Sequence, residues 1–542
     1  MKIALIGINS RYSHKNLAIL SLYSAVRDLA GDPRYGSPEF QLLECSINEP
    51  PDHVLRKIMA MKAEILSFSV YVWNKEMVLK LARDIKALDP GVIILAGGPE
   101  IHAGYLVEEA FDFLILGEGE GTFRKLLEAG FQGERLQLFS GRYADLDALP
   151  FAYEDVLDRL AHRIVYYEGS RGCPFRCSYC LSGEDNRLRL KQPQNILRDM
   201  EVLCRHGVKQ VKFIDRTFNA RPQWALAIIK GLKDLASYGC NFHFEVSLDK
   251  MAPEILEEIL DSPTGLFQLE IGIQSCNEDT LAAIRRKNDF PAIKRGVQAL
   301  LEKGNVHLHT DLIAGLPYEG LESFKKGFAA IYDLEAQMLQ VGFLKVIPNT
   351  ALWQDAQRLG IRYRDYPPYE VLATPWMKGA ELLVIKEVEE GVEGFYNKGH
   401  FRQTLHVLHK AIRDPFSFYR KLGAALLDRE DPPSLQEKAA MLLEALDGMA
   451  ALKILQGLLA LDWMLRNKGK AIPSFLGEGL LEEVRIPGQK TTGRVLVLPF
   501  ALRWQGHDAV IEENRGSRSY LLDYTDVWSP YRYPRLKEWF QV

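Results

Sequence analysis

Three cysteines, Cys173, Cys177 and Cys180, fall within the stretch "SRGCPFRCSYCLSG". The spacing C-x3-C-x2-C can gather three thiolates around one centre, and soft thiolates suit zinc or an iron–sulfur cluster. A structural zinc site usually takes four protein ligands, and no second C-x2-C lies nearby. A [4Fe–4S] cluster held by three cysteines leaves one iron open to a small molecule. That is useful for chemistry and poor as a structural staple. Cys45, Cys204, Cys240 and Cys276 are scattered, and in so long a chain they read as small buried residues rather than a disulfide framework.

The elements around the triad set where it sits. It directly follows a short apolar run, "IVYYEG" (164–169). Further strand-like runs follow at 208–215, 241–247, 266–273, 306–315 and 338–347, with helical patterns such as "RPQWALAIIKGLKDLASYG" between them. Six β/α units over 164–370 predict a partial, TIM-like barrel whose site lies at the C-terminal strand ends. Ahead of it, residues 1–145 alternate apolar strands ("KIALIGI", "FQLLECSI", "EILSFSV", "GVIILAGG", "FDFLILGEGE") with helices. Strands that are apolar throughout imply a parallel sheet covered on both faces, a doubly wound α/β domain. Residues 146–163 lack a clean apolar period and read as a linker. Residues 371–542 read as a mainly helical domain with a β-rich tail, and the closing "VWSPYRYPRLKEWF" reads as a packing tail.

The chain has 542 residues, 47% hydrophobic and 25% charged, with a formal net charge of -4. That length predicts two to four domains. The balance gives no strong nucleic-acid signal, no apolar run is long enough to span a bilayer, and the N-terminus lacks the pattern of a signal peptide. The protein reads as cytoplasmic.

"CPFRCSYC" resembles the C-x3-C-x-aromatic-C signature of the radical S-adenosylmethionine (SAM) superfamily, with Tyr179 at the aromatic position and the triad in the loop after the first barrel strand. The resemblance implies that Cys173, Cys177 and Cys180 hold a [4Fe–4S] cluster and that SAM takes the open iron. It also implies SAM contacts at later strand ends: Asp215, Arg216 and Thr217 in "FIDRTFN", Glu245 and Ser247 in "EVSLD", Glu270, Gln274 and Ser275 in "LEIGIQS", and an apolar adenine cradle with Leu316 and Val346. The family's Gly-Gly-Glu motif is missing at the second strand. "IDRTFN" stands there instead, as in cobalamin-linked members.

A doubly wound domain before such a barrel resembles the cobalamin (B12)-binding subclass. The motifs that carry this are "SFSVYVWN" with Ser69, "LAGGPEIHA" with Gly97 and Gly98, and "LGEGEGTF" with Gly117, Glu118 and Gly119. Glycines there let backbone approach a large flat ligand. The D-x-H-x-x-G motif of histidine-ligated cobalamin proteins is absent, since Asp52 and His53 are adjacent, so the resemblance implies a cobalt without a histidine beneath it. His14 reads as part of a helix N-cap region, with Ser13 or Asn16 capping the helix that follows.

The resemblance implies a cobalamin-dependent radical SAM enzyme, with methylation of an unactivated carbon as the leading reaction and a reductant such as flavodoxin or ferredoxin. Rearrangement, cyclisation, or oxygen or sulfur insertion on the same cofactors is the alternative. A non-catalytic cobalamin or iron–sulfur sensor is a third reading.

Overall fold

The computed structural model describes the chain apart from residues 103–109, 133–136, 142–143, 184–186, 468–471, 478–480, 486–491, 500, 506–507, 513–517, 528–533 and 540–542. The chain forms two compact units. One holds Met1–Glu245, Lys345–Gln357 and Tyr363–Glu370; the other holds Val246–Leu344, Arg358–Arg362 and Val371–Val542.

The first unit begins with β1 (Lys2–Asn9), α1 (Leu17–Ser24), β2 (Glu39–Ser46), α2 (Pro51–Ala60), β3 (Ile65–Ser69), α3 (Lys75–Leu88), β4 (Ile93–Gly97), β5 (Phe113–Leu116), α4 (Glu120–Glu128) and β6 (Gln137–Ser140). The six strands form one parallel sheet in the order β2-β1-β3-β4-β5-β6. The order reverses beside β1, which makes the C-terminal ends of β1 and β3 the place where an α/β sheet opens a crevice. The apolar strands bury themselves completely: Ile3, Ala4, Leu5, Ile6 and Ile8 are all inaccessible. Helix α3 covers the sheet with Val78, Leu81, Ala82 and Ile85, the spacing of one helical face. Asn16 caps α1 by accepting from the Ile19 amide at 3.2 Å, in line with the expected cap. Strand β6 was not visible in the sequence. Its four residues, "QLFS", are too few to show a strand period.

The same unit continues with β7 (Ile164–Tyr167), the short hairpin strands β8 (Ser170–Arg171) and β9 (Arg189–Leu190), α5 (Pro193–Arg205), β10 (Gln210–Phe213), α6 (Pro222–Lys233) and β11 (Asn241–Val246). Strand β10 pairs in parallel with both β7 and β11. Prolines open α5 and α6, where a missing N–H costs nothing.

The second unit carries α7 (Pro253–Leu260), β12 (Phe267–Gln274), α8 (Glu278–Ala283), α9 (Phe290–Lys303), β13 (His307–Ala314), α10 (Leu321–Tyr332) and β14 (Met338–Phe343), with β12, β13 and β14 parallel. Helix α11 (Ala351–Asp355) belongs to the first unit. The rest of the second unit is mainly helical: α12 (Gly379–Gly391), α13 (Arg402–Val407), α14 (Pro415–Leu427), α15 (Leu435–Ala445) and α16 (Leu452–Asn467). The long Ala/Leu-rich run divides into α15 and α16 near Gly448, whose φ of 78° a helix does not tolerate. A four-stranded antiparallel sheet (481–485, 492–498, 518–527, 534–539) and a two-stranded ribbon (501–505, 508–512) close the chain. Of the final aromatic and basic stretch, 528–533 and 540 lie outside the described residues. The architecture is α/β as expected: a doubly wound N-terminal sheet, a β/α series and a helical C-terminal region.

Candidate cofactor site

The cysteine loop leaves β7 and is folded tightly on itself. The Cys180 amide donates to the Cys177 carbonyl at 3.1 Å, and the Gly183 amide donates to the Cys180 carbonyl at 3.0 Å. Gly183 is required there, since a Cβ would stand 2.7 Å from the Cys177 carbonyl oxygen. Cys173 and Cys177 are buried and Cys180 is half-buried. Burial pushes the Cys173 thiol up, opposed by the Phe175 amide and by Thr217, whose hydroxyl lies 3.8 Å from the sulfur.

Asp215, two residues past the end of β10, anchors the start of this loop. Its carboxylate accepts from the Gly169 amide at 3.1 Å and from the Ser170 hydroxyl. It is 1% exposed, and burial pushes its carboxyl up to about 7 against the pull of those two donors. Arg216 beside it is exposed, Tyr179 and Glu245 are half-buried, and Val346 is fully buried.

The loops at the C-terminal ends of β3, β4 and β5 lie in the same unit. Ser69 ends β3 and donates to Asn16 at 3.4 Å; Asn16 in turn donates to Asn9 at 2.9 Å. Asn74 ties this corner shut by donating to the carbonyls of Ile8 at 2.9 Å and Ser69 at 3.0 Å. Tyr71 and Trp73 stack there with ring centroids 4.4 Å apart and planes 7° apart, with Trp73 left partly exposed. Burial, and then the carboxylates of Glu168 and Glu120, push the Tyr71 hydroxyl up to about 12. His14 is elsewhere engaged: its Nδ1 is 3.0 Å from the Tyr166 hydroxyl, and burial lowers its pKa. Gly98, at φ 117°, lies so close to β3 that a Cβ would stand 2.5 Å from the Val70 carbonyl oxygen. Gly97, Gly117 and Gly119 complete the glycine turns, Gly117 at φ 72°.

The "GEGEG" loop meets the cysteine loop through charge. Arg171 pairs with Glu120 at 2.6 Å, Glu168 at 2.8 Å and Glu118 at 3.1 Å. Glu118 also pairs with Arg189 and accepts from the Ala144 amide at 2.6 Å. Burial raises the Glu168 carboxyl, while Arg171 beside it pulls the other way.

In the second unit, β12 ends on Gln274, a non-glycine residue held at φ 70°, at a register break between β12 and β13. Such a backbone persists only when its surroundings impose it, and functional sites are where it concentrates. Gln274 donates to Asp311 at 3.1 Å, and the Ile273 amide donates to Asp311 at 3.0 Å. Burial pushes the Asp311 carboxyl up to about 7, helped by Glu270 and opposed by the Ile273 amide and Arg286. Arg286 donates to the Gly272 carbonyl. Glu319, after β13, accepts from Ser275 at 2.7 Å, and burial pushes it up to about 7. Gln274 Oε1 and Glu319 Oε2 are buried acceptors without a donor, which a ligand's hydroxyl or amino groups would satisfy. Leu316 is fully buried. Sequence reasoning did not single out Arg171, Arg189, Arg286, Asp311 or Glu319. Arginine and acidic residues are common on surfaces, and only the fold brings these to strand ends.

A model of the radical SAM superfamily matches residues 167–328, a B12 binding domain model matches 3–127, and a family of unknown function, DUF4080, matches 357–487. The 2-(S-pantetheinyl)-carbapenam-3-carboxylate methyltransferase of Streptantibioticus cattleyicolor is 27% identical over 56% of this chain and 50% of its own. The cobalamin-dependent radical SAM methyltransferase TokK of Streptomyces tokunonensis is 27% identical over 54% and 48%. The chain thus spans about half the length of the curated relatives it matches. The structure of the cobalamin-dependent SAM radical enzyme OxsB, with aqua-cobalamin and SAM bound, is similar in fold, with a TM-score of 0.58 at 13% identity over 86% of this chain and 79% of its own. The two domain types imply a [4Fe–4S] cluster with SAM and a cobalamin as cofactors. The chain thus carries a B12 binding domain match ahead of a radical SAM domain match, the domain order of the B12-binding radical SAM superfamily that it resembles.

Proposed function

We propose that the protein is a cobalamin-dependent radical SAM methyltransferase that acts on an unactivated carbon. The observation that carries this reading is the meeting, within one compact unit, of the cysteine loop after β7 with the "GEGEG" loop of the B12-type sheet. When bound, the cluster and SAM would supply a carbon-centred radical and the cobalamin would supply a methyl group.

Cys173, Cys177 and Cys180 hold the iron in this reading, and Asp215 fixes the start of their loop. Tyr179, Arg216, Glu245, Glu270, Gln274, Leu316 and Val346 are the residues proposed to contact SAM, joined by Asp311 and Arg286. The orphaned Gln274 Oε1 supports a hydroxyl-bearing ligand. Ser69, Gly97, Gly98, Gly117, Glu118 and Gly119 are proposed for the cobalamin side. The stacked Tyr71–Trp73 pair supports a flat ligand there, and the engagement of His14 with Tyr166 fits a cobalt without a histidine ligand. We place the domain boundaries near 145, 163 and 370. None of the seven cysteines is disulfide-bonded, which suits a cytoplasmic, reducing setting with flavodoxin or ferredoxin as electron donor.

The test is anaerobic purification and reconstitution with iron, sulfide and hydroxocobalamin. About four irons per chain and SAM cleavage under reductant are expected, both lost in Cys177→Ala. Iron and SAM cleavage that survive Cys177→Ala would sink the cluster assignment. Methyl-labelled SAM then separates the reactions: label in a product supports methylation, and turnover without label transfers the case to rearrangement, cyclisation or insertion.

A further inference from the structure

Arg171 joins the two loops that the proposed function depends on, and no cofactor contact is proposed for it. Only Gly172, at φ 87°, separates it from Cys173. Its guanidinium reaches two carboxylates of the "GEGEG" loop, Glu120 through both Nη atoms at 2.6 and 3.3 Å and Glu118 at 3.1 Å, while its Nε holds Glu168 at 2.8 Å. Arg189, its register partner in the β8–β9 hairpin, also pairs with Glu118. Two guanidinium groups therefore share three carboxylates, and none of the five side chains is more than 27% exposed.

We infer that Arg171 is a positioning residue that couples the two cofactor-bearing loops, so that filling the cysteine loop orders the "GEGEG" loop and the reverse. The geometry makes this coupling stiff. The guanidinium is carried by a residue two positions before the first thiol and is held by Glu168 at Nε, while its Nη atoms grip Glu120, the first residue of α4. A planar fork with several fixed donors transmits a shift that a flexible point charge would absorb, so lysine does not replace it. Removing one partner strands the others as buried charges, which favours rearrangement of the whole group over local adjustment. The inference rests on the proposed reading for the identity of the two cofactors.

The experiment is hydrogen exchange on the full chain, with and without a reconstituted cluster, following peptides that cover 116–124. Iron and sulfide are assayed on the same samples. In the wild type, cluster assembly should slow exchange of these amides by about tenfold, the size of an ordinary coupling. In Arg171→Lys, and in Glu120→Gln on the opposite side, the ratio should fall to near one while iron content stays at the wild-type level. Loss of iron from both variants would mean that the charge group holds the fold of the cysteine loop rather than coupling the two loops, and would overturn the inference. An undiminished ratio in both variants overturns it. A wild type that takes up no iron and sulfide removes the functional reading itself, which the iron assay distinguishes from failure of the coupling alone.

Discussion

At the scale of single residues, Asp215 and Arg216 are neighbours with opposite circumstances. Asp215 is buried and carries the Gly169 amide and the Ser170 hydroxyl at the mouth of the cysteine loop. Arg216 is exposed. Asp215→Ala leaves two buried donors without an acceptor and should cost about 2–4 kcal/mol of unfolding free energy. Iron should then leave to a chelator faster than from the wild type. Arg216→Ala should load iron normally and weaken only SAM binding. Equal iron retention in both variants would show that Asp215 does not anchor the loop. The sequence brought Asp215 to notice by its place at a strand end, but its partners lie some 45 residues upstream, and no local pattern announces them. Arg171 was less legible still: it sits in plain view beside the cysteines, yet its meaning comes from Glu118 and Glu120 on another domain.

At the scale of elements, the strands of the β/α series were legible because they alternate buried apolar residues with others, as in "FQLEIGIQ" and "HLHTDLIA", between helical patterns. The C-terminal helices were legible as helices, but not in how they pack. Helices α12 and α14 cross in backbone contact: a Cβ on Gly423 would stand 1.6 Å from the Glu387 carbonyl oxygen, and one on Gly391 would stand 2.0 Å from that of Tyr419. Gly423→Ala must push the two helices apart, which should cost about 3 kcal/mol, read as a lower urea midpoint with an unchanged slope. Helix α16 meets α13 through Asp462, which accepts from the amides of Gln403 at 3.0 Å and Thr404 at 2.8 Å. Burial pushes this carboxyl up to about 7 from its ordinary 3.8, against the pull of the Thr404 and Gln403 donors. Between about pH 4 and pH 7 the folded protein therefore keeps a proton that the unfolded chain has released, and stability falls as pH rises through that window. Asp462→Asn should flatten the fall, shrinking the difference in unfolding free energy between pH 5 and pH 7.5 by roughly 1–3 kcal/mol. An unchanged pH slope would mean that Asp462 is ionised throughout.

At the scale of the whole molecule, the sequence suggests a modular chain, with a B12-type domain, a linker and a barrel. The compact units cut across that plan, since Met1–Glu245 form one body that includes both the B12-type sheet and the cysteine loop. The contacts that join them are polar and mostly buried. Arg171 and Arg189 rely on Glu118 and Glu120, the Tyr166 hydroxyl meets His14, and the Lys15 amide donates to the Ile164 carbonyl at 3.3 Å. Deleting residues 1–145 would leave Arg171 and Arg189 without Glu118 and Glu120, and breaking a buried ion pair costs about 3–5 kcal/mol. That is a large fraction of the about 5–15 kcal/mol that holds an ordinary domain together. A chain of 146–542 should therefore be insoluble, or take up little iron, even though it retains all three cysteines and the whole β/α series. Iron and sulfide analysis after anaerobic reconstitution decides the matter. A truncated chain that binds about four irons and cleaves SAM like the full protein would show that the N-terminal sheet is an independent module, and that the charges between them serve only to dock it.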